Sequence, residues 1–335
     1  MTVAELKEEL KKYNTEQLVK LIVELYKKVP KRLKEDDDID GTIKNAETLN
    51  APKAVKQTEK PDITELRKQV SEFVTNAMAQ NYFAPNKIVP KTKRSKWRFE
   101  VKNYINLLTA IPVDSEGGKE ATELLKELYN TLSYGCNYWI FTSDDPFRSV
   151  QIDQCDFLDA VISRKLREGM TETNLKYCID VMINSNVDRE TLHSDLLCTF
   201  INNLKITDTK EKAVEILKKL KTEIEINLQK PPVKKYYFDN HEEYKLKEKI
   251  RNIAETVLRL YIKMYEYENG IEYFNNNYIE KDEEILKYVL FKILEEYDLK
   301  NEWIAEYESS VKRIKLRESL QKTYNCLKNN NTWVN

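Results

Sequence analysis

The chain is expected to fold as an all-α protein, and three observations lead there. Its 335 residues contain only 6 glycines and 9 prolines, well below the usual shares of about 7% and 5%. Charged residues make up 33% of it, a composition unlike that of turn-rich β architectures. Between short breaks, apolar residues recur at steps of three and four, the period of a helix with one buried face. The expected architecture is a helical hairpin at 1–30, a linker at 31–61, α-solenoid-like (HEAT-like) helix pairs over 62–229, and a C-terminal helical bundle at 233–330 with one long helix.

The hairpin has readable starts. Thr2 with Glu5 forms a capping-box pattern before Val3, Leu6, Leu10 and Tyr13. Asn14 is placed to cap a second helix carrying Leu18, Leu21, Ile22 and Leu25, which must stop at Pro30. KRLKEDDDIDG and the stretch up to Pro61 lack apolar periodicity, hence the linker.

Asp62 and Glu65 open the next helix, with Leu66, Val70, Phe73, Val74 and Ala77 on one face. Prolines at 85 and 90 forbid its continuation. A helix from about Lys96 reaches Ala110 before Pro112, and another from about Gly118 carries Leu124, Leu125, Leu128 and Leu132. Pro146 suits a first helical position behind Asp145 as cap, with Gly169 as the matching stop. Helices then follow near 172–184, at 189–204 behind Asp188, and from Asp208, where Asp208 and Glu211 make a cap pattern, to about Leu228. About 40 residues per helix pair is the period of solenoid arrays. After Pro231 and Pro232, a long helix carries Leu246, Ile250, Ile253, Val257, Leu260, Met264 and Tyr267 at steps of four and three, a coiled-coil seam that would suit either an intrachain bundle or a homodimer. The last helix is expected to carry Lys312, Arg313, Lys315 and Arg317.

Charge and composition narrow the function. With 55 basic and 56 acidic residues the formal charge is −1, so no global field draws nucleic acid or an anionic membrane, and electrostatic recognition must be local. No apolar run approaches a membrane span and MTVAELKEELKK has no apolar signal core, which points to a bacterial-type cytoplasm. Five widely separated cysteines, never spaced as CxxC, read as reduced, packed thiols.

Signatures of chemistry are sparse. His193 and His241 have no ligand or nucleophile team near them in sequence, and SEGGKEAT lacks the spacing of a phosphate loop. Asp144, Asp145, Asp153, Asp156 and Asp159 fall within sixteen residues and could hold Mg²⁺ in a metal-dependent hydrolase, but Asp144 and Asp145 already have a capping job and the rest fit a polar helix face, which is the expected reading. No cofactor and no catalytic residue is expected.

The sharpest local feature is basic. From Lys87 to Lys102 there are seven basic residues, Lys87, Lys91, Lys93, Arg94, Lys96, Arg98 and Lys102, against the single acid Glu100. Trp97, Val101, Tyr104 or Ile105, and Leu108 share a helical stripe, so Trp97 is expected in the core, while the basic residues crowd the positive end of that helix and call for an anion. The acidic run Glu35, Asp36, Asp37, Asp38 and Asp40 folded back, another chain's acidic surface or a phosphate would supply it. Lys91, Lys93, Arg94, Lys96 and Arg98 are therefore the expected anion- or partner-binding residues. The function that follows is a non-catalytic interaction or regulatory protein with a protein partner; the rival is nucleic-acid binding through residues 87–102.

Overall fold

The computed structural model describes residues 3–30, 34, 39–44, 62–83, 88–229, 240–330 and 332–333. The described residues are helical apart from turns and connections, and no strand occurs among them. The all-α class is what the structure shows. The chain divides into two compact units, Met1–Lys60 and Pro61–Asn335.

In the first unit stand two helices, α1 (Val3–Leu10) and α2 (Thr15–Lys28), where two were expected. The Asn14 side chain accepts from the Gln17 amide while the Gln17 side chain accepts from the Asn14 amide, a complete capping box. The cap expected at Thr2 lies outside the described residues. No residue of α2 is buried, and Val19, Ile22 and Leu25 are each more than half exposed. A short helix, α3 (Ile39–Lys44), stands inside the stretch read as a linker. Its Asp40 and Lys44 complement the two ends of its dipole, and Tyr26 donates to the Asp40 carboxylate.

The second unit begins with α4 (Ile63–Met78), α5 (Lys91–Arg94), α6 (Trp97–Ala110) and α7 (Gly118–Asn137). Leu66, Val70, Phe73 and Ala77 of α4 face Leu124, Leu125, Leu128 and Leu132 of α7 in one apolar core. The start of α7 needs a glycine. A Cβ on Gly118 would stand 2.0 Å from the Val113 carbonyl oxygen.

The helix expected between Pro146 and Gly169 is two helices, α8 (Pro146–Val150) and α9 (Gln154–Arg167). Gln151 adopts a left-handed conformation (φ 60°) that ends α8, and Asp153 caps α9 by accepting from the Asp156 amide. Asp145 caps α8 and Gly169 (φ 138°) ends the segment, as expected. Next come α10 (Glu172–Ile183), capped by Thr171, α11 (His193–Asn203) and α12 (Thr207–Gln229). Asp188 does not start α11, because its carboxylate holds the Glu190 and Thr191 amides in a preceding turn; the Leu192 amide is taken by Asp195 instead. Asp208 does not cap α12 either. It lies in the first turn and pairs with Lys212.

Two buried polar groups hold these helices in register. Arg164, 6% exposed, donates to the carbonyls of Thr109 (3.3 Å), Ile111 (2.9 Å) and Gly118 (3.4 Å), tying the end of α6 to the start of α7. Gln154 donates to the Asn186 carbonyl at 2.8 Å and accepts from the Asp188 amide at 2.9 Å, which fixes the α10–α11 connection on α9.

The long helix α13 (Asn240–Lys263) closes two cores at once. Ile250, Ile253, Val257 and Leu260 complete the first core, and Ala254, Leu258 and Ile262 belong to a second. A helix apolar on both faces is buried on both. The seam read as a possible dimer contact is thus filled by the chain's own helices, and Tyr267 belongs to the next helix because Tyr265 turns the backbone at φ 65°. The second core is built on α14 (Tyr267–Asn277), α15 (Glu283–Glu296), α16 (Lys300–Ser310) and α17 (Glu318–Asn330). Trp303 sits at its centre, 4.6 Å from Phe291 and 5.4 Å from Tyr307 between ring centroids. The basic run expected on the last helix lies before it instead, in the α16–α17 connection. There Arg317 forks onto the Glu284 carboxylate with two bonds of 2.6 Å, and Arg313 stands 3.5 Å from Glu283.

Candidate functional site: a basic edge beside a buried indole

The segment 88–102 separates into a buried half and an exposed half. Trp97, Val101, Ile105 and Leu108 are buried. The Trp97 ring lies on Phe141 at 4.0 Å and near Phe73 at 6.5 Å, so the indole belongs to the core, as its spacing suggested. Lys91, Lys93, Lys96 and Arg98 are exposed and Arg94 is half-buried. Lys87 and the acidic run Glu35, Asp36, Asp37 and Asp38 lie outside the described residues.

No capping side chain serves either short α5 or the start of α6. Pro90 and Lys96 occupy the cap positions, and neither can accept from the amides behind it. Among the described residues Lys91, Lys93, Arg94, Lys96 and Arg98 form no ion pair, and the Arg94 Nε is buried without a hydrogen-bond partner. Positive charge therefore accumulates beside the positive end of α6. Glu100 in the first turn is its nearest offset in the chain, and Glu100 lines a cleft of about 540 Å³ with Glu72 and Lys93. Burial, with Glu100 and Glu72 beside it, raises the Tyr104 hydroxyl above its ordinary pKa, and Tyr82 in the same cleft is raised further. Both remain neutral hydrogen-bonding groups.

Apolar surface interrupts the charge. Phe99 is 60% exposed, with the Arg98 guanidinium 4.9 Å from its ring centroid, and Ile88 is exposed nearby in the chain. The edge thus combines cations, an open aromatic face and an aliphatic side chain on a rigid helical base.

Four of the five aspartates in the stretch 144–159 are engaged otherwise. Asp144 pairs with Arg189, Asp145 and Asp153 cap helices, and Asp159 accepts from Asn203 at 2.7 Å. Among the described residues no three His, Cys, Asp or Glu side chains are grouped to hold a metal ion. His193 stands 3.5 Å from Glu248; the side chain of His241 lies outside the described residues. No helix among the described residues is long and apolar enough to cross a membrane.

Sequence reading missed two concave surfaces, because each joins segments far apart in the chain. One is a groove of about 1020 Å³ between α14 and α16, lined by Tyr265, Tyr267, Glu268, Glu272, Glu302 and Glu306 among others. The other, of about 400 Å³, brings the end of α7 and the α10–α11 connection against α13. Only the i, i+4 spacing of Glu268 with Glu272, and of Lys245 with Lys249, left a trace in the sequence. Set against protein-family models, curated proteins and solved structures, the chain matches none of them.

Proposed function

We propose that this is a non-catalytic interaction protein of the cytoplasm whose basic edge, Lys91 to Phe99, holds an acidic surface of a partner protein. The observation that carries this reading is the set of cations at Lys91, Lys93, Arg94, Lys96 and Arg98 without an ion pair among the described residues, beside exposed Phe99. An acidic partner would offset the charge that accumulates at the α6 start, while Phe99 and Ile88 supply the apolar contact that affinity needs. The exposed apolar face of α2 supports the same class of function, since an amphipathic helix without buried residues is suited to lie in a partner's groove. Affinity capture from nuclease-treated lysate, with wild type and an edge-neutralised variant side by side, tests the proposal.

A second reading, nucleic-acid binding by the same edge, is favoured by the exposed ring of Phe99, on which a base could stack. It requires retention of single-stranded DNA or RNA that weakens steeply with salt, and a shallower salt slope after Lys93→Gln and Arg94→Gln. Absence of binding at low salt ends it.

A further inference from the structure

The cleft of about 400 Å³ between the end of α7, the α10–α11 connection and the first half of α13 is chemically unlike the basic edge, and its reading is independent of it. Lys245 and Lys249 stand one turn apart on the face of α13 that lines it. Each ammonium is held by a neutral oxygen, Lys245 by the Tyr138 hydroxyl and Lys249 by the Asn184 side-chain carbonyl. Among the described residues neither has a carboxylate within ion-pair distance, and the one carboxylate lining the cleft, Glu248, faces His193. Asn252, one turn beyond Glu248, is only 8% exposed, lines the same cleft and makes no side-chain hydrogen bond among the described residues.

Two half-buried ammonium groups facing one cleft, with no carboxylate among the described residues paired to either, favour an anion there. Burial lowers the Lys249 pKa; Asp180 partly offsets that fall and Lys245 adds to it, the repulsion expected of two ammonium groups facing one space. The opposite wall is aromatic. Tyr134 and Tyr138 stack at 4.2 Å, the Lys245 ammonium lies 4.7 Å from the Tyr138 ring centroid, and Tyr244 on α13, 58% exposed, adds a third ring to the lining. The volume falls within the range of sites for small ligands.

We propose that this cleft binds a small anion carrying a planar ring, of the class of a nucleoside monophosphate, with Lys245 and Lys249 on its phosphate, Asn252 on a polar edge, and the tyrosine wall against its ring. Each ammonium has three donors and spends one on the protein, which leaves donors for oxyanion contacts.

Calorimetric titration of the full chain with AMP, GMP, CMP and UMP, with the matching nucleosides and with inorganic phosphate, tests the proposal. At least one nucleotide is expected to bind, its nucleoside and phosphate alone to bind about tenfold more weakly or worse, and Lys245→Gln or Lys249→Gln to cost about tenfold or more. Lys263→Gln, at the far end of the same helix, should leave the affinity unchanged. Each cleft lysine makes one hydrogen bond to the protein and no ion pair among the described residues, so thermal melts verify that both variants are folded before affinities are compared; Asn252→Leu supplies a charge-neutral third variant, also expected to weaken binding. Failure of all four nucleotides to bind, phosphate binding as tightly as the nucleotide, or unchanged affinity in the folded lysine variants would overturn it.

Discussion

The indole of Trp97 lies on the ring of Phe141 with centroids 4.0 Å apart and planes 13° from parallel, while Phe99, two residues on, is 60% exposed. One short segment therefore supplies both a core anchor and a surface contact. Trp97→Ala should cost about 3–5 kcal/mol of stability through the cavity it leaves. Phe99→Ala should change stability by no more than about 0.5 kcal/mol. Urea unfolding of the two variants checks this, and a large loss at Phe99 would mean that its ring is covered.

Arg164 holds three carbonyls across the α6–α7 connection. Arg164→Met leaves the Ile111 oxygen without its donor in the interior and should cost about 2–4 kcal/mol. Arg164→Lys should recover only part of it, because an ammonium cannot reproduce the planar fork. The same denaturation measurement distinguishes them.

Lys287, 3% exposed, donates to Asn275 at 2.9 Å and pairs with Glu306. Removing one partner strands a buried charge, so Glu306→Ala should cost about 3–5 kcal/mol, whereas the double change Lys287→Met with Glu306→Leu should restore most of that loss. A double-mutant cycle in urea reads the coupling.

Burial raises the thiols of Cys136 and Cys178 to about 12 and that of Cys155 to about 11, from an ordinary value of 9.0. The native chain then holds protons that the unfolded chain releases above that ordinary value. The contribution of these groups to stability is complete below pH 9.0 and is lost as pH rises toward 11 and 12. Tyr273 and Tyr278, raised to about 12 by burial, add to the loss from 10.0 upward. The urea midpoint should fall across that window, and Cys178→Ala should flatten the fall.

Helix existence was legible in the sequence because caps and apolar steps are local. Asn14, Asp62 and Asp145 act as caps in the structure as read, and the stripe through Trp97 is buried as read. The errors arise where a side chain has competing partners. Asp188 serves a turn before α11, Asp208 prefers Lys212, and Gln151 takes a left-handed turn that no glycine announced. Likewise the dual burial of α13 needed two cores to be known. The basic edge could be found because its charges are contiguous. The cleft around Lys245 and Lys249 could not, since Tyr138, Asn184 and Asn252 meet only in the folded chain.

The role of the basic edge is measured most directly by the salt dependence of partner retention from nuclease-treated lysate, on wild type and on a variant with Lys91, Lys93, Lys96 and Arg98 changed to glutamine. The exposed positions of these side chains should leave the variant's melting unchanged. The expected result is a partner with an acidic surface that elutes from wild type as salt rises and is absent from the variant. Equal retention by both proteins, or retention that disappears with nuclease treatment, would contradict an acidic protein partner on this edge.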